Sequence, residues 1–378
     1  MIKRDIENSI LERLFKGKVL LIFGPRQVGK TTLIKKIGEL SGVSYLYLNG
    51  DEPDIRSELK NASSGLLKNL FGKHQLILID EAQRIENIGL TIKLAFDTLP
   101  NVQIIATGSS SFELANVANE PLTGRKIEYH LFPFSIAELI EANGLLNEKR
   151  LLSQRLIYGS YPDVVNNPGE EIQLLNQLTN SYLYKDLFAL DGIKKNSLFE
   201  NLAKALALQL GQEVSYSELS KLLGVDKNTI EKYLNLMEQA FIIFRLPALN
   251  RNVRNEIKKG KKYYFYDNGV RNSILADFNS LELRTDKGSL WENYLISERW
   301  KTYSYQALYG YRYFWRTTQQ QEIDYIEERD AKMYAFEFKW DSSKKARIPL
   351  TFSNAYPNHE FEFVHSDNYL KFLGVEYN

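Results

Sequence analysis

The chain has 378 residues and sets 48 lysines and arginines against 47 aspartates and glutamates, for a formal net charge of +1. That length exceeds one average core and points to two or three domains, and so even a balance excludes a whole-chain field that would gather nucleic acid or an acidic membrane. The absence of cysteine excludes disulfides and thiolate zinc sites, and the four histidines, His74, His130, His359 and His365, lack metal-ligand spacing.

Met1 to Leu14 is charged and amphipathic, with Ile6, Ile10, Leu11 and Leu14 at helical spacing. No apolar run approaches the roughly 18 residues of a membrane span, so the expectation is a cytoplasmic protein with no membrane partner. The apolar run Val19 to Phe23 then leads into Gly24, Pro25, Arg26, Gln27, Val28, Gly29, Lys30, Thr31 and Thr32, followed by a helical pattern from Leu33. That is G-x-x-x-x-G-K-[ST] between a strand and a helix, the form of a P-loop. Its glycines let main-chain N–H groups turn inward, and the helix start aims its positive dipole end at the same place. ATP phosphates suit such a nest, with Lys30 reaching the β- and γ-phosphates and the Thr31 hydroxyl taking one position on Mg²⁺. A plain glycine turn is the alternative.

Tyr45 to Leu48 reads as a strand, Ile55 to Phe71 as a helix, and Leu76 to Ile79 as a fully buried strand ending in Asp80 and Glu81. An apolar strand closed by two carboxylates is a Walker B pattern. Asp80 would hold the Mg²⁺ water shell, and Glu81 would orient and polarise the attacking water. A helix cap is the other use of such a pair. Val102 to Thr107 is the next strand, before Gly108 to Ser111. Thr107 and Ser109 are candidates for sensing the γ-phosphate or the lytic water, or else for capping a segment from Phe112; Gln83 has a weaker claim. Arg125, in a loop before a short strand, could neutralise charge on a transferred phosphoryl group, within its own subunit or in a neighbour, or could be an ordinary surface arginine.

The stretches GPRQVGKTT, LILIDEAQR, IIATGSSS and LTGRK…LFPFSIAE, in that order, resemble the AAA-type prokaryotic ATPases that carry a C-terminal restriction-endonuclease-like domain. The resemblance covers nearly the whole chain. It implies an ASCE-type P-loop core with a strand inserted between Walker A and Walker B, a place that Tyr45 to Leu48 would fill.

Phe134 to Ala142, Glu148 to Tyr158, Glu171 to Leu190 and Asn196 to Leu210 are helical patterns. Ser215 to Leu234 then gives a capped short helix, a glycine turn and a second helix, before the β-run Phe241 to Leu246, the form of a winged helix-turn-helix. Its second helix would present Lys227, Asn228, Thr229 and Lys232 to a major groove, or the fold would be a packing adapter. Arg251, Arg254, Lys258, Lys259, Lys261 and Lys262 would track phosphates or form a solvated loop.

Lys262 to Asp267 reads as a strand ending in an Asn268, Gly269 turn. Leu290 to Glu298 reads as a helix, and Tyr311 to Arg316, Glu322 to Glu327 and Met333 to Trp340 as strands. Period-two alternation points Glu337 and Lys339, with Asp324 on the hairpin partner, to one face, a pattern that plain amphipathic strands also show, and a helix glutamate such as Glu292 commonly completes such a set. This resembles the PD-(D/E)xK nuclease constellation, although Asp324 follows Glu-Ile and not a proline. Asp324 and Glu337 would bind a divalent cation, with Lys339 beside an activated water. Tyr309, Tyr311, Tyr313, Phe314 and Trp315 are core residues or a base-stacking surface.

The expectation is therefore an α/β chain: a P-loop NTPase parallel sheet over 1–145, a helical lid or linker over 146–192, a winged helix-turn-helix over 193–255, and an α/β restriction-endonuclease-like domain over 256–378. It would bind and hydrolyse ATP with Mg²⁺ and couple this to a DNA-facing nuclease-like module, with DNA ahead of RNA as partner and a homo-oligomer compatible. The rival is a nucleotide-dependent interaction switch with a catalytically silent nuclease fold.

Overall fold

The apolar runs of the first third form one sheet in which every pairing is parallel. The structure, a computed structural model, describes residues 2–109, 122–180, 196–250 and 260–375. It divides into two units, Met1–Phe134 with Gln239–Phe241, and Ser135–Glu238 with Ile242–Asn378.

In the first unit, strands β1 (Val19–Phe23), β2 (Tyr45–Asn49), β3 (Leu76–Asp80), β4 (Gln103–Gly108) and β5 (Lys126–His130) lie in the order β2-β3-β4-β1-β5. β1, β3 and β4 are buried along their whole length, as continuous apolar runs in a parallel sheet should be. The architecture is that of a P-loop NTPase, mixed α/β with a parallel five-stranded sheet. The strand that separates β1 from β3 in space is β4. Tyr45–Asn49, expected to fill that place, lies between them only along the chain and forms the sheet edge, where it is mostly half-buried. The helix expected over Ile55 to Phe71 is two helices, Pro53–Leu59 and Ser64–Phe71, the second capped by Ser63, whose side chain accepts from the Leu66 N–H.

The second unit opens with helices Ile136–Asn143, Leu145–Arg150 and Leu152–Tyr158, so the pattern over Glu148 to Tyr158 also breaks in two. Of the pattern Glu171 to Leu190, the structure describes a helix over Glu171–Leu178, and the part from 181 lies outside the described residues. Helices Asn196–Leu208, Tyr216–Leu223 and Lys227–Gln239 follow, then an antiparallel hairpin of β6 (Ile243–Pro247) and β7 (Lys261–Phe265). A division after residue 255 would cut this hairpin.

The Asn268, Gly269 pair, read as a turn, starts the helix Asn268–Leu275, because the Asp267 side chain accepts from the Val270 N–H and caps it. The 19-residue helix Lys287–Tyr305 then precedes a four-stranded sheet, order β11-β10-β9-β8. Its strands are β8 (Tyr311–Arg316), β9 (Glu322–Arg329), β10 (Lys332–Phe338) and β11 (His359–Val364). β8, β9 and β10 pair antiparallel, and β11 joins β10 in parallel after the helix Leu350–Ala355. This is a separate C-terminal α/β region.

Candidate functional site

The loop after β1 is shaped by two glycines with different tasks. Gly29 sits at φ +92, which an L side chain rarely adopts, and begins the helix Lys30–Leu40; Gln27 is also left-handed, at φ 61. Gly24 needs no special dihedral, but a Cβ there would lie 2.0 Å from the Leu131 carbonyl oxygen, so the end of β5 sits against the loop. The buried Arg4 guanidinium donates to the carbonyls of Val28 (2.7 Å) and Phe132 (2.5 Å), tying the same segments together.

Lys30 is buried, and its ammonium donates to the carbonyls of Gly24 (2.9 Å) and Pro25 (2.8 Å). Its charge therefore lies inside the loop's own curve. The Thr31 hydroxyl donates to Asp80 Oδ2 at 2.6 Å, which joins the helix start to the end of β3. Asp80 collects two further hydroxyls, from Tyr47 on Oδ2 (2.9 Å) and from Thr107 on Oδ1. Burial, with the Asp80 carboxylate next in weight, pushes the Tyr47 phenol well above its ordinary value, so it remains a donor.

The Glu81 N–H donates to Thr107 Oγ1 at 3.2 Å, so Thr107 bridges both acidic residues. Glu81 itself is left-handed, at φ 46. Its carboxylate accepts from the Gln83 amide (2.6 Å), which also reaches Ser109 Oγ at 2.9 Å. Ser110, Ser111 and the segment from Phe112 lie outside the described residues.

The sequence reading missed Tyr47, because a tyrosine in an alternating strand looks like packing. Its signal lay in the register: Tyr47 stands two residues before Asn49, the partner of Asp80. Arg125 is not beside its own loop. Its carbonyl accepts from the Val19 N–H at 2.8 Å, at the start of β1, whereas the loop follows the end of that five-residue strand, on the order of 16 Å away. Its guanidinium meets Asp97 at 3.0 Å on the surface.

An oxygen-only set of Thr31 and Asp80 at the carboxyl end of a parallel sheet suits a hard cation such as Mg²⁺, and the helix start with Lys30 suits phosphate oxygens.

A second cluster lies in the C-terminal region. Asp324 is buried and its Oδ2 accepts from the Phe338 N–H at 2.7 Å, which sets it beside β10, and Lys339 donates to Glu337 at 2.6 Å. Burial, then Glu292 and Glu337, push the Asp324 carboxyl well above its ordinary value. Burial opposes the Lys339 ammonium, but Asp324 and Glu337 outweigh it and hold the lysine above its ordinary value. Glu292, Glu337 and Lys339 thus all bear on the Asp324 carboxyl.

Lys262 also enters this cluster. It is 1% exposed, with its ammonium 2.6 Å from Glu322 and 3.2 Å from Glu292, which also accepts from the Tyr264 hydroxyl at 2.6 Å. Neither Lys261 nor Lys262 belongs to a solvent-facing basic run: Lys261 donates to the Tyr216 hydroxyl at 3.1 Å, and 251–259 lie outside the described residues. On the helix Lys227–Gln239, Lys227, Asn228 and Lys232 are exposed, whereas the Thr229 hydroxyl donates to Asp226 at 2.6 Å within the helix start. Phe314 and Trp315 are core residues, and Tyr309 and Tyr311 are exposed.

Residues 16–140 match a family model described as an AAA domain; 149–281 and 287–373 match two described as domains of unknown function (DUF8612 and DUF4143). An uncharacterized protein of Mycobacterium tuberculosis is 27% identical over 350 residues, covering 90% of this chain and 74% of that protein. An uncharacterized protein of Haemophilus influenzae is 26% identical over 309 residues, 73% of this chain and 74% of its own. A replication factor C large subunit of Nanoarchaeum equitans is 28% identical over 226 residues, 57% of this chain and 47% of its own. Among solved structures, a Thermotoga maritima RuvB Holliday junction branch migration motor is 17% identical with a TM-score of 0.32, covering 68% of this chain and 95% of that one. The N-terminal region is an AAA-type, P-loop ATPase-like domain. Among the described residues, no helix is long and apolar enough to cross a membrane.

Proposed function

We propose that the protein binds ATP with Mg²⁺ and hydrolyses it, and that this turnover serves a DNA-facing C-terminal module. The observation that carries the first part is the joining of Lys30, Thr31 and Asp80 at the carboxyl end of β1 and β3. Main-chain N–H groups at the start of the helix Lys30–Leu40 would face the phosphates. The Lys30 ammonium would exchange two neutral carbonyls for phosphate oxygens, a stronger charge-assisted partner. Thr31 and Asp80 would hold Mg²⁺, which supplies positive charge against the phosphate oxygens. Glu81, released from Gln83, would orient the attacking water and accept its proton, while Thr107 keeps Glu81 and Asp80 in fixed relation. Lys30→Ala is expected to abolish Mg²⁺-dependent ATP turnover by the full chain. Unchanged turnover would sink the reading.

A second reading concerns the C-terminal region. The convergence of Glu292, Asp324, Glu337 and Lys339 supports a PD-(D/E)xK nuclease-like fold, and the helix pair Tyr216–Leu223 and Lys227–Gln239 with the β6–β7 hairpin supports a winged helix before it. DNA is the partner these features favour, with the replication factor C similarity in the same direction. The buried Lys262 ammonium supports the branch in which the nuclease fold is a silent scaffold, because a fixed positive charge already balances Glu292 and Glu322. Wild-type protein is then expected not to nick plasmid DNA with Mn²⁺. Nicking by the wild type that disappears in Asp324→Ala would establish cleavage instead.

A further inference from the structure

Asp80 is buried, 2% exposed, and both its oxygens are occupied. Oδ1 accepts from the Thr107 hydroxyl and, at 3.2 Å, from the Glu81 N–H; Oδ2 accepts from Thr31 at 2.6 Å and from Tyr47 at 2.9 Å. A carboxylate has about four acceptor positions, and here four donors meet it. Thr31 and Thr107 belong to elements already tied to the phosphate loop and its neighbouring strand. Tyr47 comes from β2, the sheet edge, and its hydroxyl reaches the carboxylate from outside that group. Its ring is held in turn by Lys35, on the same helix as Lys30 and Thr31, with the ammonium 4.3 Å from the ring centroid.

We infer that Tyr47 is a positioning residue for the carboxylate of the cation site: its hydroxyl fixes the orientation of Asp80, so that Asp80 holds the Thr31 hydroxyl with a lone pair turned toward Mg²⁺. This rests on the ATP–Mg²⁺ reading of the loop. Three hydroxyls share the anion, and the two on Oδ2 act differently. Thr31 can keep its proton on Asp80 while offering a lone pair to a cation, because a hydroxyl is donor and acceptor at once. Tyr47 serves as the fixed strut. Without its hydroxyl, Oδ2 keeps the Thr31 donor alone, and the carboxylate is held less firmly on that side. Partners that orient a metal-holding group commonly change metal affinity by about 10- to 100-fold when removed.

The test is Tyr47→Phe, which keeps the ring under Lys35 and removes only the hydroxyl. Binding of a fluorescent ATP analogue to the full chain is titrated in EDTA and across a Mg²⁺ series, with thermal melting recorded in EDTA without nucleotide. Expected are unchanged metal-free nucleotide affinity, a Mg²⁺ requirement raised about tenfold, and a kcat that recovers at saturating Mg²⁺. A Mg²⁺ requirement equal to the wild type's would overturn the inference. So would a fall in metal-free affinity matching that with metal, which would mark Tyr47 as merely structural. Wild-type protein that gains no nucleotide affinity from Mg²⁺ would overturn the underlying reading as well, and this arm separates the two failures.

Discussion

His130 closes β5 beside the phosphate loop, and its imidazole lies among three rings, 6.0 Å from Phe23, 6.2 Å from Phe132 and 5.7 Å from Phe241. Burial pushes it below its ordinary value of 6.5, with Glu128 pulling weakly the other way. A histidine whose folded pKa is depressed binds its proton more readily when unfolded, so folding is favoured above the unfolded pKa and loses stability as pH falls through 6.5 toward the folded value. His130→Phe keeps an aromatic ring and removes that dependence. Urea unfolding at pH 8 and pH 5 is expected to show a larger loss for the wild type than for the variant; equal losses would remove His130 as the cause. The same reasoning about burial separates Lys262 from the loop lysines the sequence groups it with. An ammonium 1% exposed persists only among carboxylates, and Glu292 and Glu322 supply them.

At the scale of elements, two backbone approaches hold the second unit's helices in place, and one aspartate serves both. Asp267 caps the helix Asn268–Leu275 through the Val270 N–H at 3.1 Å and accepts from the Ser160 N–H at 2.7 Å, beside Gly159 at φ +71. A Cβ on Gly159 would meet Asp267 Oδ1 at 2.0 Å, and one on Gly269 would meet the Tyr158 carbonyl oxygen at 2.1 Å. Asp267→Ala leaves a helix start uncapped and a buried N–H unpaired, so a loss of about 2 kcal/mol is expected from urea denaturation at unchanged slope. Asp267→Asn, which keeps an acceptor, is expected to lose less. A variant as stable as the wild type would show that the cap is dispensable.

At the scale of the whole molecule, the position of Arg125 decides how it can act. It lies at the amino end of β1 and β5, and the candidate nucleotide site lies at the carboxyl end. Arg125→Ala is therefore expected to leave ATP turnover unchanged at high dilution. A loss that grows with protein concentration would place the arginine at a neighbouring chain's site; a loss at every concentration would contradict the geometry. A surface pair such as Arg125 with Asp97 contributes little to stability, so the effect on turnover is not confounded by unfolding.

The sequence by itself determined the parts whose meaning is local. A glycine-rich loop between a buried strand and a helix, and an apolar strand ending in Asp80 and Glu81, are legible because main-chain geometry and burial act over a few consecutive residues. Tertiary structure decided what depends on distance along the chain. It put β4 between β1 and β3, moved Tyr45–Asn49 to the edge, brought Tyr47 to Asp80, and turned Lys262 from a basic run into a carboxylate pocket. Strand order and side-chain partners are settled by packing between segments tens of residues apart. A period of two or 3.6 residues records which face is buried, and carries no record of what that face will meet.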